Sequence, residues 1–177
     1  MSGMSGTAPA HHDLRLRNAT VTDLDPLVRL HVQTFNETHG PGPAVEVREQ
    51  QWRKAFSEPD PEWFCIVAET SEGRLVGFAK GQPYTEEELG EFKGELNKIY
   101  VLREYQKRGL GRRLVCAVAQ GLVTRGINSM LLFGDARSTS NGFYERMGAE
   151  RLIAANGEFH GGYGWRDLEG LLKHRSD

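Results

Sequence analysis

The stretch Glu95–Gly111, ELNKIYVLREYQKRGLG, constrains this chain more than any other. It opens as an apolar, strand-like run through Ile99, Tyr100, Val101 and Leu102 and ends in Gln106-Lys107-Arg108-Gly109-Leu110-Gly111. Directly behind it Leu114, Val115, Val118, Ala119, Leu122 and Val123 recur at helical spacing, and Arg125-Gly126 supplies a C-cap. A strand feeding a basic, glycine-containing loop that opens a helix builds a place for a pyrophosphate. The first N–H groups of the helix have no partner within it, and the helix dipole adds positive potential there. Gly109 and Gly111 let the backbone approach phosphates without a Cβ in the way.

The elements around this unit follow from periodicity and turn chemistry. Residues 1–13, MSGMSGTAPAHHD, are small and polar and are expected to form a disordered leader, in which the pair His11-His12 has no companion ligands. Leu14–Val21 alternates as a half-exposed strand. Thr22 reads as an N-cap, and Leu24, Leu27, Val28, Leu30, His31 and Phe35 predict a helix to about Phe35. After the Gly/Pro-rich break 36–44 a second helix is expected over Val45–Ser57. Trp63–Glu69 and Arg74–Gly81 flank the turn 70–73 as a hairpin, and the acidic connector QPYTEEELGE, 82–91, leads back to the central strand. Beyond the long helix come a short buried strand, Ser129–Phe133, a short helix, Thr139–Met147, and a final hairpin over Glu150–Ala154 and Gly161–Leu168. The order β-α-α-β-β-β-α-β-α-β-β predicts one α/β domain with a mixed sheet over 14–170, followed by a tail, 171–177.

Composition bounds what such a domain does. A hydrophobic content of 38%, a charged content of 26% and a net charge of −2 describe an ordinary soluble domain without the basic excess of a nucleic-acid binder. No apolar run approaches the roughly 18–20 residues needed to span a bilayer, and the N-terminus lacks a signal-like apolar core, so a cytoplasmic protein without membrane partners is expected. Cys65 and Cys116 sit in apolar runs and read as buried thiols of a reducing compartment. No Cys or His cluster has ligand spacing, and no metal is expected.

On two blocks the chain resembles the GNAT superfamily of acyl-CoA-dependent N-acyltransferases. The first is Gln106-Lys107-Arg108-Gly109-Leu110-Gly111, matching that family's phosphate motif of Gln or Arg, two residues, Gly, one residue, then Gly or Ala. The second is Gly142-Phe143-Tyr144-Glu145-Arg146-Met147-Gly148, similar to its later helix motif. The resemblance spans Leu14 to Leu168. It implies a central, mostly antiparallel sheet splayed between its fourth and fifth strands and flanked by helices. It also implies acetyl-CoA as cosubstrate, with its pyrophosphate on residues 106–111 and its pantetheine arm along the backbone of Ile99, Tyr100 and Val101. Lys107, Arg108, Arg112 and Arg113 form a basic mouth suited to attracting the phosphates, or a solvated helix start. Relatives carry an Asn six residues before the tyrosine, where this chain has Ser138. Asn141, Ser140 or Ser138 would bind the pantetheine or cap the helix.

Acyl transfer from a thioester to an amine needs a route for the amine's proton, a donor for the developing oxyanion and a proton for the departing thiolate. The resemblance places Tyr144 near the coenzyme A sulfur as the group that protonates the thiolate, the alternative being a tyrosine that packs helix against sheet. It makes the Val101 N–H the oxyanion donor. Glu95, eleven positions before Gln106, is the candidate base, with ordered water as the alternative. A carboxylate in that role needs a partly desolvated cleft. Counting by twos along the strand, Glu95 shares a face with Asn97 and Ile99.

The acceptor site is expected from 36–47, from 82–91 and from the last hairpin around His160 and Tyr163. Glu86, Glu87, Glu88 and Glu91, beside Glu95, favour a cationic amine such as a polyamine, an aminoglycoside or a lysine, or are simply a solvated acidic loop. His39 and His160 are candidate shuttles, whereas Trp52, Trp63 and Trp165 read as core. The expected function is transfer of an acetyl group to a primary amine of a small-molecule acceptor by direct attack in a ternary complex, with a homodimer left open. The alternatives are a protein lysine or N-terminal acetyltransferase and a catalytically silent acetyl-CoA-binding sensor. A Rossmann-type nucleotide site is disfavoured, because the phosphate loop follows the fourth strand instead of the first.

Overall fold

The computed structural model describes residues 13–134 and 140–174. Most of the expected leader, with His11 and His12, as well as Ser138 and the last three residues, lies outside the described residues. Chain order gives β1 (Arg15–Asn18), α1 (Leu24–His39), α2 (Val45–Ser57), β2 (Phe64–Glu69), β3 (Leu75–Pro83) and β4 (Gly94–Val101). It continues with α3 (Leu110–Thr124), β5 (Met130–Phe133), α4 (Asn141–Arg146), β6 (Glu150–Ile153), β7 (Phe159–Trp165) and α5 (Leu168–Lys173).

The strands form one sheet in the order β1-β2-β3-β4-β5-β7-β6. Every pairing is antiparallel except β4 with β5, which is parallel and holds only at Gly94↔Met130 and Glu95↔Leu131. Past Glu95 the two strands part. This is the mixed, splayed sheet flanked by helices that the resemblance implies.

The reason for the parting lies on the other edge of β4. Lys80 pairs with Lys98 and Gly81 with Leu96, so Asn97 is an extra residue without a partner on β3. Such a bulge bends its strand and raises the local twist.

Helices cover both faces. α1 and α2 hold one, where His31, Trp52, Phe78 and Tyr100 meet ring to ring with centroids 5.3–6.0 Å apart. α3 covers the other with Leu110, Leu114, Val115, Val118, Ala119 and Leu122, all essentially buried, and α5 packs beside it. The helix lies so close to β3 that a Cβ on Gly81 would fall 2.8 Å from Val118 Cγ1.

Several boundaries differ from the periodicity reading, among them the Thr22 N-cap: Val21–Asp23 is a 3-10 turn opened at Thr20, and α1 begins at Leu24. α1 runs a turn beyond Phe35 to His39 and stops at Gly40, whose φ of 79° and N–H bond to the Asn36 carbonyl form a glycine C-cap. The last strand stops at Trp165 instead of Leu168. Asp167 accepts from the Gly170 N–H at 3.0 Å and starts α5, which buries Leu168 and Leu171. The alternation of the preceding strand masks this short helical run. Cys65 and Cys116 are both buried, as read from the sequence.

Candidate active site

The bulge decides which way the central strand's side chains point. Partners across an antiparallel pair share a face. Gln82 stands opposite Glu95, Lys80 opposite Lys98, and Phe78 opposite Tyr100. Glu95 therefore shares its face with Lys98 and Tyr100, under α1 and α2, and not with Ile99 as strict period two predicts. The extra residue Asn97 shifts the phase.

The backbone of the same strand divides in two. Leu102 N–H donates to the Val76 carbonyl at 3.0 Å. Continuing the antiparallel alternation from that pair, Tyr100 and Lys98 exchange hydrogen bonds with β3, while the backbone groups of Ile99 and Val101 point into the gap left by β5. The Val101 carbonyl is taken by Gln106, whose Nε2 donates to it at 2.9 Å. The Val101 N–H and both groups of Ile99 remain directed into the gap. Tyr100 thus presents its side chain to the α1/α2 face rather than its backbone to the gap.

The strand ends in a single 3-10 turn, Arg103–Tyr105, and then in the glycine loop. Lys107 has φ 61° and Gly109 φ 89°, two left-handed residues that turn successive N–H groups to one side. A Cβ on Gly109 would touch nothing within 4 Å, so conformation and not space calls for glycine there. The Arg113 N–H is bonded to the Gly109 carbonyl at 3.1 Å, leaving the N–H groups of Leu110, Gly111 and Arg112 without helical partners. The Leu110 side chain is buried, so it offers only its backbone. No acidic residue stands in the first turn of α3, and Lys107, Arg108 and Arg112 are exposed around it. Cations at a helix N-terminus oppose its dipole, and an anion at the turn would relieve both. Arg113 is tied to the Leu14 carbonyl at 3.0 Å. Arg112 also lines a second hollow of about 690 Å³ with Arg146, Trp165 and His174.

The two motif blocks touch. A Cβ on Gly111 would lie 3.3 Å from Phe143 Cζ, next door to Tyr144 on α4. Asn141 is the first residue of that helix and half-buried. The Tyr144 ring packs 5.6 Å from Tyr163 and 6.3 Å from Trp165. Burial, and secondarily the nearby Tyr100, push its phenol up to about 12. Among the described residues no group hydrogen-bonds to that hydroxyl.

Glu95 is half-buried and its Oε2 accepts from Gln82 Nε2 at 2.9 Å. It lines a cleft of about 760 Å³ with Gln82, Tyr84, Glu86, Glu87, Glu88 and Phe133. The potential there is negative: burial raises the Tyr84 phenol, and the carboxylates of Glu86, Glu88, Glu95 and Glu91 raise it further. Tyr163 does not face this cleft, being fully buried with its hydroxyl donating to Glu145 Oε1 at 2.9 Å. His160 is exposed beside Glu158, and His39 packs on Phe35 with centroids 4.7 Å apart. His31 is fully buried, accepts from Trp52 Nε1 at 3.0 Å, and is pushed down to about 3 by burial and then by Arg48 and Lys98. It is a neutral core acceptor.

Periodicity did not single out Lys80, Lys98 and Arg48, which share the Glu95 face. Lys80 and Lys98 carry one sequence signal, a charge inside a strand-like run, and Arg48, among Glu46, Glu49, Arg53 and Lys54 of its helix, carries none. Among the described residues no helix is long and apolar enough to cross a membrane, and no group of three or more His, Cys, Asp or Glu side chains is placed to hold a metal ion.

A splayed parallel strand pair, a bulged fourth strand and a glycine turn at the next helix define an acyltransferase-type fold. The acetyltransferase (GNAT) family model matches residues 24–149, and the chain belongs to that family, as an N-acetyltransferase. It is 29% identical over 168 residues to the uncharacterized N-acetyltransferase YuaI of Bacillus subtilis, covering 88% of this chain and 95% of that protein. The PaiA N-acetyltransferase of Thermoplasma acidophilum, solved in complex with coenzyme A, shares the fold with a TM-score of 0.63 at 16% identity, over 85% of this chain and 97% of that one. A GNAT-family acetyltransferase of Staphylococcus aureus Mu50 gives a TM-score of 0.69 at 12% identity, over 88% and 99%.

Proposed function

We propose that this protein transfers the acetyl group of acetyl-CoA to a primary amine of a small-molecule acceptor, by direct attack within a ternary complex. One observation carries the reading: the outward backbone of Ile99 and Val101 runs straight into the N–H groups at the start of α3 that have no helical partner. An amide-bearing arm can pair with the first, and a pyrophosphate suits the second. The residues present therefore fit the cosubstrate, which supplies an acyl group activated as a thioester. The coenzyme A in the Thermoplasma relative supports the same donor.

The chain's own groups then have distinct tasks. The Val101 N–H, held in place because Gln106 occupies the Val101 carbonyl, donates to the oxygen on which charge develops. Glu95, oriented by Gln82, receives the amine's proton directly or through water. Tyr144 stays protonated at neutral pH and donates to the departing sulfur. A thiol ionises near 8.5, so complete proton transfer from a phenol at about 12 is uphill by about 5 kcal/mol. Its contribution is the hydrogen bond.

The test is thiol release from acetyl-CoA against a panel of small amines, lysine peptides and peptide N-termini. Turnover of small amines is expected. Turnover confined to peptides would move the acceptor class, and tight coenzyme A binding without any turnover would make the protein a sensor.

A further inference from the structure

Beside Glu95 lies a group of hydrogen-bond donors that is short of acceptors among the described residues. Lys80 and Lys98 are a cross-strand pair on the α1/α2 face, one same-face step along β3 from the Gln82–Glu95 pair. At about 3.4 Å per residue that step is about 7 Å. Lys80 Nζ stands 5.2 Å from the Trp63 ring centroid and 5.9 Å from that of Trp52. Arg48 comes down from α2 to the same face, 9% exposed, with its guanidinium 5.0 Å above the Phe35 ring. Among the described residues, no carboxylate lies within ion-pair distance of Lys80, Lys98 or Arg48. Among the described residues the Arg48 guanidinium makes one hydrogen bond, to Gln51 Oε1 at 3.1 Å, and its buried Nε has no acceptor. The buried Trp63 Nε1 has none either.

Burying positive charge and unpaired donors is costly unless something accepts from them. The cations feel one another: Lys98 is lowered by desolvation, then by Lys80 and Arg48. Lys80 is lowered by desolvation, against a weaker upward pull from Cys65, Glu58 and Glu95. A loose cationic face of this kind next to an acidic cleft is ill-suited to a polyamine lying along it. It suits a ligand with both signs.

We propose that the acceptor is a compact amino carboxylate, with its amine directed to Glu95 and its carboxylate taken by Lys98, Lys80 and Arg48. The inference rests on the acetyl-transfer reading and names its substrate class. In the reaction the amine nitrogen bonds to the acetyl carbon as the C–S bond breaks. One amine proton leaves toward Glu95, and the sulfur departs as a thiolate that takes a proton, giving an N-acetyl amino acid and coenzyme A.

The experiment uses the full chain and acetyl-CoA with matched pairs, each an amino acid and the amine left by removing its carboxylate: lysine and 1,5-diaminopentane, phenylalanine and phenethylamine, methionine and 3-methylthiopropylamine. The amino acid is expected to be preferred at least tenfold in kcat/KM in the best pair. In Lys98→Gln that ratio is expected to collapse toward one through a rise in the amino acid's KM. Equal or better turnover of the decarboxylated partners overturns the inference and leaves acetyl transfer standing. Absence of turnover in every pair, with peptides also inert, overturns the transfer reading and the inference with it. Should Lys98→Gln fail to fold, the preference of the unaltered protein decides alone.

Discussion

The side chain of Gln106 donates a 2.9 Å hydrogen bond to the carbonyl of Val101. The first residue of the glycine-loop motif thus ties the loop to the splayed strand and takes up one of the polar groups that face the gap. Replacing it with alanine removes one neutral hydrogen bond, worth about 0.5–1.5 kcal/mol. Gln106→Ala is expected to raise the KM for acetyl-CoA about 2- to 10-fold with little change in kcat. Steady-state kinetics with varied acetyl-CoA checks it, and an unchanged KM would show that the loop keeps its register without this bond.

Gly109 and Gly111 call for glycine on different grounds, so alanine should separate them. Gly109 sits at φ 89° with open space around it. Gly109→Ala adds backbone strain of about 1–2 kcal/mol and distorts the turn. Gly111→Ala brings a methyl to 3.3 Å from the Phe143 ring, a contact that a small shift of the ring accommodates. Coenzyme A affinity measured by calorimetry is expected to fall more for Gly109→Ala, and Phe143→Leu should rescue only Gly111→Ala.

Tyr144 loses its hydroxyl but keeps its packing against Tyr163 and Trp165 when changed to phenylalanine. We expect kcat to drop about 10²- to 10³-fold, the range for losing one donor at developing charge, with coenzyme A affinity almost intact. Full activity would remove the residue from the chemistry and leave it as core.

Glu95→Gln preserves the shape beside Gln82 and removes the negative charge. A fall in kcat/KM of about 10²-fold or more for the acceptor, typical of losing a general base, is the expected result. Near wild-type rates would assign the proton to water instead.

His31 gives stability a specific pH window. It is about 1% exposed, and burial pushes it down to about 3, whereas an unfolded histidine titrates near 6.5. Between those values the unfolded chain binds a proton that the folded chain refuses, so stability falls as pH drops below 6.5, by up to about 1.4 kcal/mol per pH unit. Denaturant melts at pH 7 and pH 5 should differ accordingly. His31→Gln, which keeps an acceptor for Trp52 Nε1, should flatten the difference, and an equal slope in both proteins would assign the loss to other groups.

Much of this molecule is local and hence readable in advance. The helix α2 over Val45–Ser57, the hairpin of β2 and β3, and the strand–loop–helix unit from Ile99 to Gly111 each rest on periodicity or turn chemistry within a few residues. The short helix α5 was hidden because six residues with two buried leucines read equally as the end of a strand. The face of Glu95 was hidden for a different reason. A bulge is a property of two strands, and Asn97 carries no mark of being the residue without a partner.

The amino-acid sequence by itself thus determined the glycine turn, the elements on either side of it and, through the two motif blocks, the family. Those depend on φ freedom and hydrophobic period, which act over neighbouring residues. Tertiary structure alone decided that β4 turns the backbone of Ile99 and Val101 into the gap, and that it sets Glu95 beside Lys98 and Tyr100. It also brought Lys80 and Arg48 to that same face. Register, bulge and the meeting of residues as far apart in sequence as Arg48 and Lys98 arise only when strands pair and helices close over them.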